Sequence, residues 1–389
     1  MKIRDIDVIP LSYATDDDPP TRRSFAVVKV TTDDGIVGWG EASDCYGHRH
    51  PRTVKALVDE DLRWLFVGQD PLRIEPLMHR VRQQVFASLG GRELVVEALS
   101  AIDIALWDIR GRALGVSVSD LLGRCHDAVP IYAAGKPALA ADAAWHLDFL
   151  APLLDRGVKG AKVRPGRDLA WDKAFVTDVR RGLPDDVQML VDGKYNYFPE
   201  SALALSRVLA DLGVHFFEEP IVDADLDEVR RLADAGHVPL AYGEHCFTAL
   251  GFRELIVRGG VRVVEPDVSV CGGITEFRRI AGLAQSFGVE LTPHCGGLTA
   301  IGIAANLHAA ASVPRVGLFE FDARAFQPLR DELVADAPFA VDRIVDGCVR
   351  VPSGPGLGID VDESVFERYP HVVDKALART FSLYGTPHV

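Results

Sequence analysis

The sequence predicts an α/β barrel that follows a smaller α+β unit, and a regular spacing of acidic and basic residues is the main reason. Each of these residues follows a short apolar run, and neighbouring ones are 26, 26, 23 and 27 positions apart. One strand, one helix and two short loops together have about this length. The residues are Asp192, Glu218, Glu244, Asp267 and His294. Because parallel barrel strands end on one rim, these side chains should meet in one pocket.

Composition limits the possible kinds of protein. The chain has 389 residues, of which 48% are hydrophobic, so it can bury a core for two domains or for a barrel with appendages. A formal net charge of -14 without a basic stripe argues against a nucleic-acid partner. No stretch approaches the roughly 18 consecutive apolar residues of a membrane span. Six scattered cysteines and a start (MKIRDIDVIPL) without a signal-peptide pattern favour the cytoplasm.

The first 126 residues predict the α+β unit. Three strand patterns, the last two separated by the turn signal Asp33-Asp34-Gly35, predict an antiparallel meander. They cover Ile3 to Leu11, Phe25 to Thr31 and Val37 to Glu41. From residue 53 to about 122 the apolar residues recur at helical spacing, with a helix end near Gly115.

Residues 127–323 predict the barrel, because strand and helix patterns alternate there as parallel strands joined by crossover helices require. The eight expected strands are Val129–Ala134, Gly160–Arg164, Gln188–Asp192, His215–Glu218, Leu240–Glu244, Val263–Asp267, Glu290–Pro293 and Gly317–Phe321. Helical patterns between them include Ala202–Leu212 and Glu276–Phe287. The last section, 324–389, has Pro and Gly turns and no further barrel period, and we expect it to return to the N-terminal unit.

Asp192, Glu218 and Glu244 predict a metal site. Mg²⁺ prefers oxygen ligands, and three carboxylates on one rim would repel one another without a cation. Taken singly, a carboxylate at a strand end is more often a helix cap or an ion-pair partner.

The next residues along the rim predict proton transfer and charge balance. Asp267 should lie within hydrogen-bond reach of His294, fixing its tautomer and supporting a general base that then acts as an acid. Lys162 and Arg164 alternate on one strand and should face the carboxylates, where they suit a substrate carboxylate. Glu320 ends the last strand and could either hydrogen-bond a developing enediolate, if protonated, or pair with Lys162 or Arg164.

The sequence resembles a known family over nearly the whole chain, and several short motifs carry the resemblance. The motifs are Ala101 to Asp108 (AIDIALWD), Lys162-Val163-Arg164, Val191-Asp192, Glu218-Glu219-Pro220, Gly243-Glu244, Pro266-Asp267 with Cys271-Gly272-Gly273-Ile274, and Pro293-His294. They are similar to the enolase superfamily, mandelate racemase subgroup. The resemblance implies a modified (β/α)7β TIM-type barrel with an α+β capping domain built from both chain ends. It also implies Mg²⁺ held by Asp192, Glu218 and Glu244, enediolate chemistry, and a homo-oligomer between a dimer and an octamer.

Two departures from the subgroup pattern direct the functional expectation. Arg164 stands where mandelate racemase has a Lys base, and a guanidinium is a poor base. Lys194 stands where the family commonly has Asn; it could bind substrate oxygen, serve as a second base, or be solvated. With His294 as the evident base, we expect a dehydratase that converts a sugar acid to a 2-keto-3-deoxy acid. The alternatives are a racemase, epimerase or lactone cycloisomerase with Lys162 or Lys194 as second base, and a non-catalytic metabolite-binding barrel.

Two polar loops are expected to select the substrate, a small-molecule carboxylate. They run from Ala14 to Ser24 and from Asp44 to Arg52, positions that resemble the specificity loops of the family. The residues that could reach the far end of an acid sugar are Arg22, Arg23, His48, Arg49 and His50. The simpler interpretation of the second loop is a solvated turn.

Overall fold

The computed structural model describes residues 1–15, 22–43, 51–134, 142–223 and 225–373. The N-terminal unit is a sheet with the strand order β1-β2-β3, antiparallel throughout, with helices after it. Its elements are β1 (Ile3–Ala14), β2 (Arg22–Thr32), β3 (Val37–Ala42), α1 (Pro51–Leu57), a π turn (Val58–Leu62), α2 (Arg63–Phe66), α3 (Ile74–Leu89), α4 (Leu94–Leu114) and α5 (Val118–Leu122). The expected meander is thus present. The first two strands are longer than expected, so Arg22 and Arg23 begin β2 and do not lie in a loop.

Helix α4 packs directly on strand β3. Its residues from Val96 to Ile109 are buried, as expected of a helix covered on all sides. Glycine permits the close approach of the two backbones, because a Cβ atom at Gly40 would lie 1.9 Å from the carbonyl oxygen of Ala101. The helix ends at Gly115, whose φ of 70° places it in the left-handed region that terminates helices.

The second unit alternates strands and helices. Its strands are β4 (Ala128–Ala134), β5 (Gly160–Val163), β6 (Gln188–Asp192), β7 (Phe217–Glu218), β8 (Leu240–Tyr242), β9 (Val263–Val264), β10 (Glu290–Leu291) and β11 (Phe319–Asp322). Its helices are α6 (Ala143–Leu154), α7 (Leu169–Gly182), α8 (Pro199–Asp211), α9 (Leu226–Ala235), α10 (Thr248–Val257), α11 (Gly273–Phe287) and α12 (Ala300–Ala311). Each of the seven connections between consecutive strands, from β4 to β11, therefore contains one of these helices.

These eight strands form a parallel barrel. Their order is β10-β9-β8-β7-β6-β5-β4-β11. Two backbone hydrogen bonds join the ends of this path, from Gly317 N to Leu291 O at 2.7 Å and from Glu320 N to Pro293 O at 3.2 Å. The predicted (β/α)7β barrel under an α+β cap is confirmed.

Several predicted strands extended too far at their carboxyl ends. Arg164, Glu244, Asp267 and His294 follow their strands by one to three residues and do not lie within them. The chain leaves the hydrogen-bond ladder early because Pro266 and Pro293 have no N–H to donate. The functional side chains therefore lie on the first residues of the loops at the barrel mouth.

The C-terminal section contacts both units. It contains α13 (Pro328–Asp331), a 3-10 turn (Val341–Arg343), β12 (Cys348–Arg350) and α14 (Ser364–Arg368). Strand β12 pairs antiparallel with β4 of the barrel. Pro370 forms a bridge with Leu11 of β1, and Leu357 N donates to Asp108 Oδ1 of α4 at 2.8 Å. Of the helices within the described ranges, none is long and apolar enough to span a membrane.

Candidate active site

Two cations occupy one side of the barrel mouth, of which Lys162 is fully buried and Arg164 is 10% exposed. Lys162, on β5, is 0% exposed, and its Nζ lies 2.9 and 2.8 Å from the two carboxylate oxygens of Glu218. The same Nζ lies 2.9 Å from Glu320 Oε1. Arg164 follows the strand and donates from Nε to Asp192 Oδ2 at 2.7 Å, with a longer contact of 3.5 Å to Glu320. Both cations therefore face the carboxylates, as the alternation on the strand predicted.

The three predicted metal ligands lie at the carboxyl ends of neighbouring strands and are all buried. Asp192 and Glu218 are the last residues of β6 and β7, and Glu244 lies two residues after β8. Burial, followed by the charge of Asp192, raises the pKa of Glu218 well above its usual value, although Lys162 lowers it. Burial also raises the pKa values of Asp192 and Glu244, but Lys194 and neighbouring cations outweigh burial and hold both values below their usual ranges, so these two carboxylates offer ionised oxygens to a divalent cation. Three buried oxygen donors of this kind fit Mg²⁺.

A second set of potential ligands partly overlaps the first. Glu219, Glu244 and His245 have ligand atoms that all lie within 4.8 Å of one another. We favour the predicted set for two reasons. His245 Nδ1 already contacts Glu219 at 3.2 Å and the Tyr195 hydroxyl at 3.1 Å. In addition, burial lowers the pKa of His245, but the charge of Glu219 outweighs burial and raises the pKa to about 9, which suits an ion pair between this ring and Glu219.

The predicted histidine–aspartate pair is present. His294 Nδ1 lies 2.9 Å from Asp267 Oδ2, and both residues are buried. The other ring nitrogen, Nε2, faces the carboxylates, 3.2 Å from Glu244 and 3.3 Å from Glu320. Burial lowers the pKa of His294, but the charges of Glu320 and Glu244 outweigh it and hold this pKa well above its usual value. A cation at Glu244 would remove part of that effect and free Nε2 to accept a proton.

Glu320 is an ion-pair partner of both cations. Burial raises its pKa, but Lys162, His294 and Arg164 together lower it to about 2, so this carboxyl is ionised. Of the two possibilities considered for Glu320, the structure favours pairing with Lys162 and Arg164. Its Oε2 also accepts from the backbone N–H of Cys295 at 3.1 Å, which ties the last strand to the loop carrying His294.

Lys194 points into the site although the strand has ended. Its φ of 46° is in the left-handed region, and its N–H donates to Asp192 Oδ1 at 2.9 Å. Its Nζ lies 3.7 Å from Asp192 Oδ2, and the side chain is only 13% exposed. The solvated alternative for Lys194 is therefore wrong.

The predicted substrate-contacting residues are only partly described. Arg23, on β2, reaches the barrel: its guanidinium lies 3.5 Å from Gly297 O and 3.6 Å from Asp322. Arg22 is half-buried at the start of β2. His48, Arg49 and His50 lie outside the described residues. Glu41 and Asn306, which no sequence pattern singled out, also hydrogen-bond to the loops that carry the histidine–aspartate pair.

A parallel barrel whose mouth carries buried carboxylates, opposed cations and a histidine–aspartate pair defines a class of enzymes that move protons next to a carboxylate. Comparison with known families specifies that class. Residues 10–123 match the family model described as mandelate racemase / muconate lactonizing enzyme, N-terminal domain, and residues 147–365 match enolase C-terminal domain-like. The chain belongs to this family of the enolase superfamily, as the motifs indicated.

Named relatives include both isomerases and lyases. The chain is 33% identical over 359 residues to a D-galactarolactone cycloisomerase of Agrobacterium fabrum, covering 90% of this chain and 92% of the relative. It is also 33% identical over 370 residues to a D-galactonate dehydratase of Ralstonia nicotianae, covering 90% and 91%.

Solved structures agree with the fold. An enolase superfamily member from Polaromonas sp. JS666 has a TM-score of 0.87 and 34% identity, covering 96% of this chain and 99% of that chain. A mandelate racemase/muconate lactonizing protein from Paracoccus denitrificans, complexed with magnesium, has a TM-score of 0.84 and 27% identity, covering 96% and 100%.

Proposed function

We propose that the chain is a Mg²⁺-dependent dehydratase that converts a sugar acid to a 2-keto-3-deoxy acid. The observation that carries the proposal is the asymmetry of the site. His294 presents Nε2 to the carboxylates from one side, while the cations Lys162 and Arg164 occupy another part of the mouth. Similarity to a D-galactonate dehydratase supports the same reaction class.

The carboxylates of Asp192, Glu218 and Glu244 are proposed to hold the metal. When bound, Mg²⁺ supplies positive charge that stabilises a substrate carboxylate as it gains a second negative charge. Lys162 and Arg164 are proposed to add fixed positive charge beside that carboxylate. Both are suited to this role because neither needs to reorient: each already lies within 3 Å of a site carboxylate.

His294 is proposed to carry both proton transfers. Its Nε2 takes the proton on the carbon next to the carboxylate, while Asp267 holds Nδ1–H and stabilises the imidazolium. The same proton is then returned to the departing β-hydroxyl, which leaves as water. The resulting enol rearranges to the keto acid, so that substrate equals product plus one water molecule.

Lys162 is unsuited to act as a second base. Burial lowers its pKa, but Glu218 and Glu320 outweigh burial and raise the pKa well above its usual value. The alternative function, an epimerase, racemase or cycloisomerase, therefore depends on Lys194. Its position beside Asp192 and the similarity to a galactarolactone cycloisomerase favour this second candidate.

A screen of mono- and diacid sugars in D2O with Mg²⁺ tests the proposal. We expect keto-acid formation with at least one substrate, and its loss in a folded His294→Asn variant. Deuterium next to the carboxylate in recovered substrate, or lactone isomerisation, without keto acid would favour the second candidate, and Lys194→Gln should then abolish it. Neither reaction with any acid sugar would favour a non-catalytic binding barrel.

We further propose the division into 1–126, 127–323 and 324–389, a homo-oligomeric state and a cytoplasmic location. Contacts of the last section with β1 and α4 support the return to the cap. Light scattering after size-exclusion chromatography tests the oligomeric state, and cell fractionation tests the location.

A further inference from the structure

Two barrel helices begin directly after the loops that carry the histidine–aspartate pair. Helix α11 follows the loop of Asp267, and helix α12 follows the loop of His294. The first N–H groups of a helix have no partner within it and need acceptors from elsewhere. At both helices a buried carboxylate of the N-terminal unit supplies an acceptor.

Glu41, the penultimate residue of β3, caps α12. Its Oε1 accepts from Thr299 N at 3.1 Å, and its Oε2 accepts from Thr299 Oγ1 at 2.5 Å and Gly302 N at 2.9 Å. The side chain is 0% exposed. The fit is tight, since a Cβ atom at Gly302 would lie 2.6 Å from Glu41 Oε2.

Asp103 of α4 makes the equivalent contact at α11. Its Oδ1 accepts from Thr275 N at 3.0 Å. Nearby, Ser100 Oγ accepts from Gly272 N at 2.9 Å, and Arg82 donates to Gly272 O at 2.7 Å. The loop of Asp267 is therefore held at its far end by side chains of the N-terminal unit.

Asn306 connects α12 to the proton-transfer pair. It lies two turns from the capped end and is fully buried. Its Nδ2 donates to Asp267 Oδ1 at 3.0 Å, and its Oδ1 accepts from Val268 N at 2.9 Å. Because a short helix moves as a rigid body, a shift of its N-terminus displaces Asn306, and with it the carboxylate that orients His294.

We propose that Glu41 is a positioning residue for the proton-transfer pair: by fixing the start of α12 it sets both the loop of His294 and the Asn306 contact that orients Asp267. The inference rests on the proposed function for its kinetic consequence. The geometric consequence, loss of the His294–Asp267 hydrogen bond, is independent of any substrate. Among the described residues, Glu41 contacts none of the three proposed metal ligands; it acts through α12.

The test compares two buried carboxylates of the N-terminal unit. In Glu41→Gln a carboxamide nitrogen that cannot accept replaces one carboxylate oxygen and the negative charge is lost, so the three donors of Thr299 and Gly302 must share one neutral oxygen. The matched control is Asp108→Asn. Asp108 is equally buried and accepts from Trp39 N of β3 at 2.9 Å and from Leu357 N; within the described part of the chain it makes no hydrogen bond to α11 or α12. Both variants disturb the same region of the cap, and only Glu41→Gln loosens α12.

The first readout is the Nδ1–H proton of His294 in protein labelled with 15N-histidine. A hydrogen bond to a carboxylate moves this proton downfield, and its absence in His294→Asn assigns it. We expect the signal to be lost or shifted upfield in Glu41→Gln and unchanged in Asp108→Asn. An unchanged signal in Glu41→Gln, or the same change in both variants, overturns the proposal.

The second readout is turnover of the acid sugar found by the screen. Loss of a supporting contact typically lowers activity about 10- to 100-fold, and we expect this in kcat with KM changed less than about twofold. Asp108→Asn should lower the melting temperature without this change. If no sugar is turned over, the proposed function fails, while the proton signal still decides the positioning role.

A milder variant covers the case in which Glu41→Gln does not fold. Thr299→Val keeps the size of the side chain and removes the hydroxyl that donates to Glu41. Asn306→Ala removes the link further along the helix. Both should weaken the same proton signal, and a folded Asn306→Ala variant with an unchanged signal contradicts the proposed route.

Discussion

Replacing Lys162 with Met should lower the free energy of unfolding by about 3–5 kcal/mol in the absence of Mg²⁺. The Nζ atom is fully buried and lies 2.8–2.9 Å from three carboxylate oxygens of Glu218 and Glu320. Met retains most of the aliphatic packing, so the loss reflects the buried Glu218 without this cation and Glu320 with only Arg164 and His294 as charged partners. The matched control is Lys159→Met. Lys159 forms an ion pair with Asp186 in which the two side chains are 57% and 66% exposed, respectively. Such exposed pairs stabilise a protein by only about 0–1 kcal/mol.

Urea unfolding followed by circular dichroism measures both changes. Each variant is compared with the parent at one pH and one temperature, with EDTA and again with excess Mg²⁺. Because a site that has lost a cation should bind Mg²⁺ more tightly, added Mg²⁺ should narrow the gap between Lys162→Met and the parent. Equal unfolding midpoints of parent and Lys162→Met in EDTA would refute the ion-pair arrangement. A gap that widens in Mg²⁺ would refute the assignment of the metal to these carboxylates.

Two further predictions concern stability. Burial lowers the pKa of His308 to about 4, and Ser119 N donates to its Nδ1, so the folded state holds the ring neutral. In the unfolded state His308 binds a proton below about pH 6.5. The contribution of His308 to the free energy of unfolding is therefore complete above that pH and falls by about 2–3 kcal/mol as the pH is lowered towards 4. In a His308→Asn variant, the free energy of unfolding measured by denaturation should depend less on pH over this range. In α11, Gly273→Ala should cost about 2–4 kcal/mol, since φ is 84° and a Cβ would lie 2.3 Å from Asp103 Oδ1. At Gly282 of the same helix, an added Cβ atom would have no neighbour within 4 Å, so Gly282→Ala should raise the free energy of unfolding by about 0.5–1 kcal/mol. Equal effects of the two substitutions would contradict the described start of the helix.

The residues at the barrel mouth could be predicted because spacing along the chain carries the information. A parallel barrel converts a regular interval in sequence into a shared rim, so Asp192, Glu218 and Glu244 could be grouped without any tertiary contact. Strand ends were less predictable. The ladder stops where a proline or a left-handed residue intervenes, as before Asp267 and His294, and an apolar run does not reveal that point.

The contacts between the units could not be predicted from spacing along the chain. Glu41 is a single carboxylate in a strand, and Asp103, although it belongs to the motif Ala101 to Asp108, has no periodic partner. The N–H groups that donate to these two carboxylates lie more than 170 positions away. The direction of Lys194 was equally hidden, because it follows from one left-handed backbone angle after the strand. Such features depend on how distant segments meet, which local pattern does not encode.

The return of the C-terminal section to the cap has a consequence for synthesis on the ribosome. Leu357 N bonds to Asp108 across 249 residues, and Ser12 Oγ bonds to Pro370 O across 358. Translation proceeds at about 5–20 residues per second, so Leu357 is synthesised about 10–50 s after Asp108, and the Asp108 carboxylate lacks this partner during that time. The N-terminal unit, although made first, is therefore completed last, and its apolar face should depend on the nascent barrel or on chaperones for protection until the chain is released.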